Sequence, residues 1–210
     1  SQMSGKIRLS SSPFYANRMI LPRLAEFYDL YPDLEVEFEF TYALSDFRAE
    51  NIDGALRYGP GDWTGVRSRI IHYDRVVPVA SAIFAASLAL PLDPADIAQL
   101  PLAAVRGQTQ YWDQWFGAAG IEPPEDAEMS LHDHRGLALD YAAASNAVAL
   151  ADLPLIRNEL KTGALVKLSD IEITLDRGVH LSEPDGPMPD LRLQAFADWL
   201  LEIVNESDAE

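Results

Sequence analysis

The sequence predicts an α/β fold built on a parallel sheet, and three stretches near its start carry that prediction. Lys6–Ser11 alternates Ile7 and Leu9 with polar neighbours, as a strand with one buried face does. Ile20, Leu24, Phe27 and Tyr31 then recur at helical spacing, with Leu21 and Tyr28 beside them. Leu34–Phe40 alternates apolar residues with Glu35, Glu37 and Glu39, the pattern of a half-exposed strand. Strand, helix and strand in that order form a βαβ unit, which sets its strands parallel.

The other elements follow in order. Ser10-Ser11-Ser12-Pro13 offers a capping serine with proline at the first helical position. Pro22 lacks an N–H, so the helix is expected to kink or to start late. Tyr31-Pro32-Asp33 ends it. Ile52–Leu56 reads as a short buried strand running into Arg57-Tyr58-Gly59-Pro60-Gly61-Asp62-Trp63-Thr64-Gly65, a loop rich in glycine. A second set of units is expected after Val76. Asp93-Pro94-Ala95-Asp96 caps a short helix, Leu102–Val105 is a small strand, and Trp112, Trp115 and Phe116 stud a helix ending at Gly120. Leu137 to Ala144 reads as helix, Ala147–Ala151 as strand, and Pro189–Val204 as a terminal amphipathic helix. The four tryptophans, Trp63, Trp112, Trp115 and Trp199, are expected to pack in the core or between lobes.

Composition removes several function classes. With 33 acidic and 16 basic residues the net charge is −17, which opposes binding to a phosphate backbone by this polypeptide itself. The absence of cysteine excludes disulfides, thiolate metal sites and cysteine nucleophiles, and fits a cytoplasmic protein. No apolar run reaches the roughly 18 residues of a membrane span, so no membrane contact is expected.

Candidate ligand residues come from a rule of doubly wound folds: ligands gather beyond the carboxyl ends of strands, near helix N-termini. Ser11, Ser12, Pro13 and Phe14 form one such point, Arg57, Tyr58 and Gly59 a second, and His134 with Arg135 a third. Thr41 and Tyr42, at the end of the second strand, join them by the same argument. Arg57 and Arg106 could hold a carboxylate, with an internal salt bridge or a solvated loop as their alternatives. Tyr58 reads equally as a packing residue. His180 and Ser182 could touch a ligand or pack at a hinge. His132-Asp133-His134 lacks a third ligand at metal-site spacing, so no metal is expected. No G-x-S-x-G elbow is present, and Gly59-Pro60-Gly61 is no phosphate loop, because proline lacks an N–H and no lysine follows. Neither an enzyme nor a cofactor is expected.

Several stretches also resemble, in order, the effector-binding domain of LysR-type transcriptional regulators, in the branch related to glycine-cleavage and β-lactamase regulators. They are Leu21-Pro22-Arg23-Leu24-Ala25-Glu26-Phe27, Tyr31-Pro32-Asp33-Leu34-Glu35-Val36, Ile52–Gly65, Val77-Pro78-Val79, Trp112–Gly120, Ala142–Leu150, Leu160–Val166 and Phe196-Ala197-Asp198-Trp199-Leu200. The resemblance implies two Rossmann-like lobes joined by two crossover strands, as in type II periplasmic binding proteins. Residues 5–80 with 181–206 would form lobe I and residues 81–180 lobe II.

It further implies a small-molecule effector, possibly anionic, held in the cleft between lobes. It implies a homodimer using Ile20–Tyr31 and Glu35–Phe40, or a full-length tetramer, and DNA contact only through a winged-helix domain upstream of residue 1. Relatives carry a small hydroxyl residue where Phe14 stands and paired glycines where Ser145 and Ala147 stand, so the ligand chemistry is expected to differ. The alternative of another class is a periplasmic solute-binding protein of a transporter.

Overall fold

The computed structural model describes residues 3–206. The chain divides into two compact units: unit 1 runs up to Asp74 and resumes at Asp176, and unit 2 is Arg75–Leu175.

Strand β1 (Gly5–Ser11) opens unit 1, and Ser12 accepts a 3.2 Å hydrogen bond from the Tyr15 N–H to cap the helix α1 (Pro13–Tyr15). The helical path continues through a π turn over Ala16–Ile20 and a 3₁₀ turn over Leu21–Arg23 before α2 (Leu24–Leu30). Pro22 sits at the start of the 3₁₀ turn, so the expected irregularity falls where its missing N–H would break an α-helical ladder. Tyr15, Ala16, Met19, Ile20 and Phe27 are the buried residues of this run.

Strand β2 (Leu34–Phe40) lies parallel to β1, with Lys6 opposite Glu35 and Arg8 opposite Glu37. Lys6 reaches Glu37 at 2.9 Å and Arg8 reaches it at 3.3 Å, so the acidic alternation of β2 is matched by cations on β1.

Strand β3 (Gly54–Gly59) departs from expectation. It begins two residues later than Ile52 and takes in Arg57, Tyr58 and Gly59. The Asp53 carboxylate accepts a 2.8 Å bond from the Arg8 N–H, and Asn51 has a left-handed φ of 53°, so the chain before Gly54 is a turn. Arg57 is therefore a strand residue fixed by the ladder and not a loop residue.

Strand β4 (Val66–Ser81) carries the chain into unit 2. The sequence suggested order only after Val76, whereas the strand begins ten residues earlier. Its first half is held by partners remote in sequence: Arg67 pairs with Glu183 at 3.0 Å and Arg69 with Asp198 at 2.6 Å.

Unit 2 continues with α3 (Ala82–Ala86), α4 (Pro94–Ile97), β5 (Leu102–Val105), α5 (Gln110–Ala118), β6 (Met129–His132), α6 (Arg135–Ala144), β7 (Val148–Asp152), α7 (Arg157–Thr162) and β8 (Leu165–Lys167). Its strands run β4-β7-β5-β6, with β8 also on β4. Strand β6 was not anticipated, and α6 starts at Arg135, two residues before Leu137. The core of the unit gathers Trp112, Trp115 and Phe116 with Ile97, Leu102 and Val148. Both indoles are satisfied: Trp112 donates to the Ala103 carbonyl at 3.0 Å and Trp115 to that of Ile171 at 2.9 Å.

Strand β9 (Ile173–Pro184) returns to unit 1, where it pairs antiparallel with β3 to give the order β2-β1-β3-β9. The final helix α8 (Leu191–Glu206) buries Leu193, Phe196, Trp199 and Leu200. Phe27 of α2 stands 5.2 Å from Phe196 and 5.4 Å from Trp199, which ties the two helices into one aromatic cluster.

Candidate ligand-binding site

The site in unit 1 is built around Arg57, whose register partner on β9 is His180. Directly opposed residues of an antiparallel pair project to the same face, so the guanidinium and the imidazole share one side of the sheet. Above them lie two segments without regular structure. One supplies Phe47, whose ring centroid is 5.0 Å from the guanidinium carbon, and the other supplies Trp63 at 5.5 Å.

One Nη of Arg57 donates to the Ser45 carbonyl at 3.2 Å, and its Nε is buried with no hydrogen-bond partner. No carboxylate among the described residues pairs with Arg57, and burial pulls its pKa below the ordinary value. Arginine nevertheless stays charged. An aromatic-flanked cation with an unused N–H is thus held in place.

The surroundings are pinned. Ser45 donates to the Ser10 hydroxyl at 2.6 Å, fixing the Phe47 segment to β1. Trp63 meets His180 edge-on at 5.3 Å between centroids. Gly61 has a left-handed φ of 91°, and a Cβ there would stand 2.5 Å from the His180 Nε2, so that turn requires glycine. His180 shares a 3.3 Å contact with the Gly178 carbonyl through Nδ1, and burial lowers its pKa from 6.5 against the opposing pull of that carbonyl.

Other expected residues of unit 1 have more structural duties. Ser11 is buried and donates to the Ser12 carbonyl at 3.1 Å, while Ser12 caps the helix that Pro13 begins. Phe14 lies under the Arg18 guanidinium at 5.1 Å. Thr41 gives its N–H to the Ser11 carbonyl at 3.0 Å, and its hydroxyl accepts from the Ala43 N–H at 3.1 Å. Tyr42 is exposed. Tyr58, one residue along from Arg57, donates to Asp74 at 2.6 Å, and Gly59 packs under Trp63.

Unit 2 holds the remaining residues. His134 caps α6 by accepting from the Leu137 N–H at 3.4 Å, and Arg135 stands 3.8 Å from the buried Asp152 carboxylate. Arg106 is a surface residue 3.7 Å from Asp133. His132 contacts the Ser130 hydroxyl at 3.1 Å and lies 4.7 Å from the Tyr141 ring, so His132 and His134 have separate roles. Phe47, Ser45 and Ser10 were not anticipated from the sequence, and Trp63, expected in packing, is half-buried against Arg57.

The family model of the LysR substrate binding domain matches residues 1–204. The chain belongs to that family. Among curated relatives, the glycine cleavage system transcriptional activator of Escherichia coli K12 is 24% identical over 197 residues, covering 94% of this chain and 64% of that protein. The HTH-type transcriptional regulator BlaA of Proteus vulgaris is 28% identical over 188 residues, covering 89% and 62%. The chain thus spans somewhat less than two thirds of these relatives.

The effector domain of the transcriptional regulator AmpR of Pseudomonas aeruginosa superposes with a TM-score of 0.84 at 23% identity, covering 97% of this chain and 98% of that one. The regulatory domain of CrgA, a LysR-type regulator of Neisseria meningitidis, gives 0.70 at 20% identity, covering 95% and 98%. These likenesses show the fold, the two-lobe α/β architecture of LysR effector-binding domains with its type II periplasmic-binding-protein topology. No helix among the described residues is long and apolar enough to cross a membrane.

Proposed function

We propose that this LysR-type domain senses a small carboxylate through Arg57, without catalysing its conversion, as part of a cytoplasmic transcription regulator. The observation that carries the reading is the Arg57 guanidinium, set between Phe47 and Trp63, lacking a carboxylate partner among the described residues and retaining a buried, unbonded Nε–H. A carboxylate would neutralise the cation by paired N–H···O bonds, and the aromatic faces would exclude water from them. His180, Tyr58, Gly59, Thr41, Tyr42 and the Ser11–Phe14 turn are the unit 1 residues assigned to this site.

Regulation would arise from a ligand that binds one state of the domain more tightly than the other, since equal affinity shifts nothing. The relatives are transcriptional regulators, which favours this reading over a transporter component. DNA contact would then lie in a part of the protein outside this chain, consistent with the net charge of −17. A homodimer would use the β2 edge and the Ile20–Tyr31 region, where Phe40, Leu21 and Leu30 are exposed.

The test is a thermal-shift screen of small mono- and dicarboxylates on the wild-type chain and on Arg57→Ala. A ligand at about 100 times its Kd should add about 2.7 kcal/mol of stability to the wild type. The variant should show no shift with the same compound. A shift of equal size in Arg57→Ala would remove Arg57 from the site.

A further inference from the structure

Two aromatic walls stand against the Arg57 guanidinium, Phe47 at 5.0 Å and Trp63 at 5.5 Å, and they are held in different ways. Phe47 belongs to a turn closed by hydrogen bonds. Asp46 Oδ1 accepts the Arg48 and Ala49 N–H groups at 3.0 Å each, and the Asp46 carbonyl accepts that of Glu50 at 3.0 Å. The Phe47 carbonyl accepts the Ile52 N–H at 3.0 Å, and Ser45 ties the turn to Ser10 of β1 at 2.6 Å.

Trp63 has no such frame. Residues 60–64 make no hydrogen bond or ion pair among the described residues, and the next fixed point is the Gly65 carbonyl, which accepts the Asp185 N–H at 3.2 Å. Contact alone keeps the indole in place. It meets the guanidinium, the edge of His180 at 5.3 Å, and the Gly59 backbone, where a Cβ would stand 2.9 Å from the ring. Gly61 and Gly65 have left-handed φ values of 91° and 73°. Gly61 is packed against His180, whereas Gly65 has open space around it, so Gly65 is the free pivot of the segment.

Arg57 Nε is closed to solvent and unbonded. A carboxylate that bridges Nε and an Nη therefore engages the cation only after a neighbouring group gives way. Moving Phe47 breaks the hydrogen bonds of its turn. Moving Trp63 breaks none.

We propose that Trp63 is the gate of the Arg57 site. The Pro60–Gly65 segment swings its indole off the guanidinium to admit the ligand and returns it to shut out water, while Phe47 stays as the fixed wall. This gate rests on the carboxylate reading of Arg57 and adds to it the residue that controls access to the cation.

Phenylglyoxal, which modifies accessible guanidinium groups, tests the gate with no ligand present. The full 210-residue chain is treated and digested, and the rate at Arg57 is divided by the rate at Arg192 of the same unit. Arg192 is held by Asp190 at 2.6 and 3.0 Å and by the Lys6 carbonyl at 2.9 Å, so a general loosening of unit 1 raises both rates and cancels in the ratio. Trp63→Ala removes the cover and should raise the ratio about fivefold to thirtyfold. Gly65→Ala keeps the indole but strains the closed path at its left-handed φ, and should raise the ratio about threefold to tenfold. Phe47→Leu should raise it less than Trp63→Ala does. A ratio unchanged in Trp63→Ala or in Gly65→Ala, or an equal rise in Phe47→Leu, overturns the gate. Such a result leaves the carboxylate reading standing, which the thermal-shift screen with Arg57→Ala decides separately.

Discussion

The Tyr58 hydroxyl donates a 2.6 Å hydrogen bond to Oδ2 of Asp74, a carboxylate only 2% exposed. A hydrogen bond to a buried charged group is worth more than a neutral one, and its loss leaves that charge poorly solvated. Tyr58→Phe keeps the ring and removes only the donor. Urea unfolding should show it about 1.5–3 kcal/mol less stable than wild type. An unchanged midpoint would mean that other groups satisfy Asp74.

Gly178 on β9 lies where that strand passes against β4. A Cβ built there would collide with the His72 carbonyl oxygen and stand 2.8 Å from the Tyr73 Cα. Neither atom can rotate away, since both belong to the backbone. Gly178→Ala should therefore force the strands apart and destabilise unit 1 by about 2 kcal/mol or more, read from thermal or denaturant unfolding. Gly117, on α5 with open space around its Cβ position, is the control. Gly117→Ala should be neutral or slightly stabilising.

His180 makes stability depend on pH in a defined direction. Burial lowers its pKa in the folded chain from the ordinary 6.5, so below 6.5 the unfolded chain binds more protons than the folded one. The stabilisation is present above 6.5 and is lost as pH falls through the folded value. Denaturant midpoints measured from about pH 7.5 to about pH 5 should fall for wild type and fall less steeply for His180→Gln. Parallel curves would show that His180 does not carry the slope.

The sequence was legible where burial alternates locally. The β1 and β2 alternations and the α8 stripe of Leu193, Phe196 and Leu200 each reflect a face packed on one core, and their positions follow from period alone. The first half of β4 was not legible. Arg67 and Arg69 carry no local pattern, and their partners Glu183 and Asp198 stand more than a hundred residues away.

The same reason divides the candidate site. Arg57 stood out as a cation at a strand end. Ser45 and Phe47 lie in a segment with no period at all, and contacts remote in sequence bring them to it: the Ser45 hydroxyl bonds Ser10 on β1, and the Ser45 carbonyl accepts from Arg57 itself. Arg57 itself was read one element out of place, because Ile52 looks like a strand residue while the Asp53 side chain is already bonded to the Arg8 backbone.

Trp63 gives the domain an optical property of its own. Trp112, Trp115 and Trp199 are buried at 2%, 0% and 4% exposure, whereas Trp63 is half-buried with a cation and an imidazole at its ring. Its emission is therefore the one among the four that answers to events at Arg57. A variant in which the three interior indoles are phenylalanine would report occupancy of that guanidinium as a colour change, with no label attached.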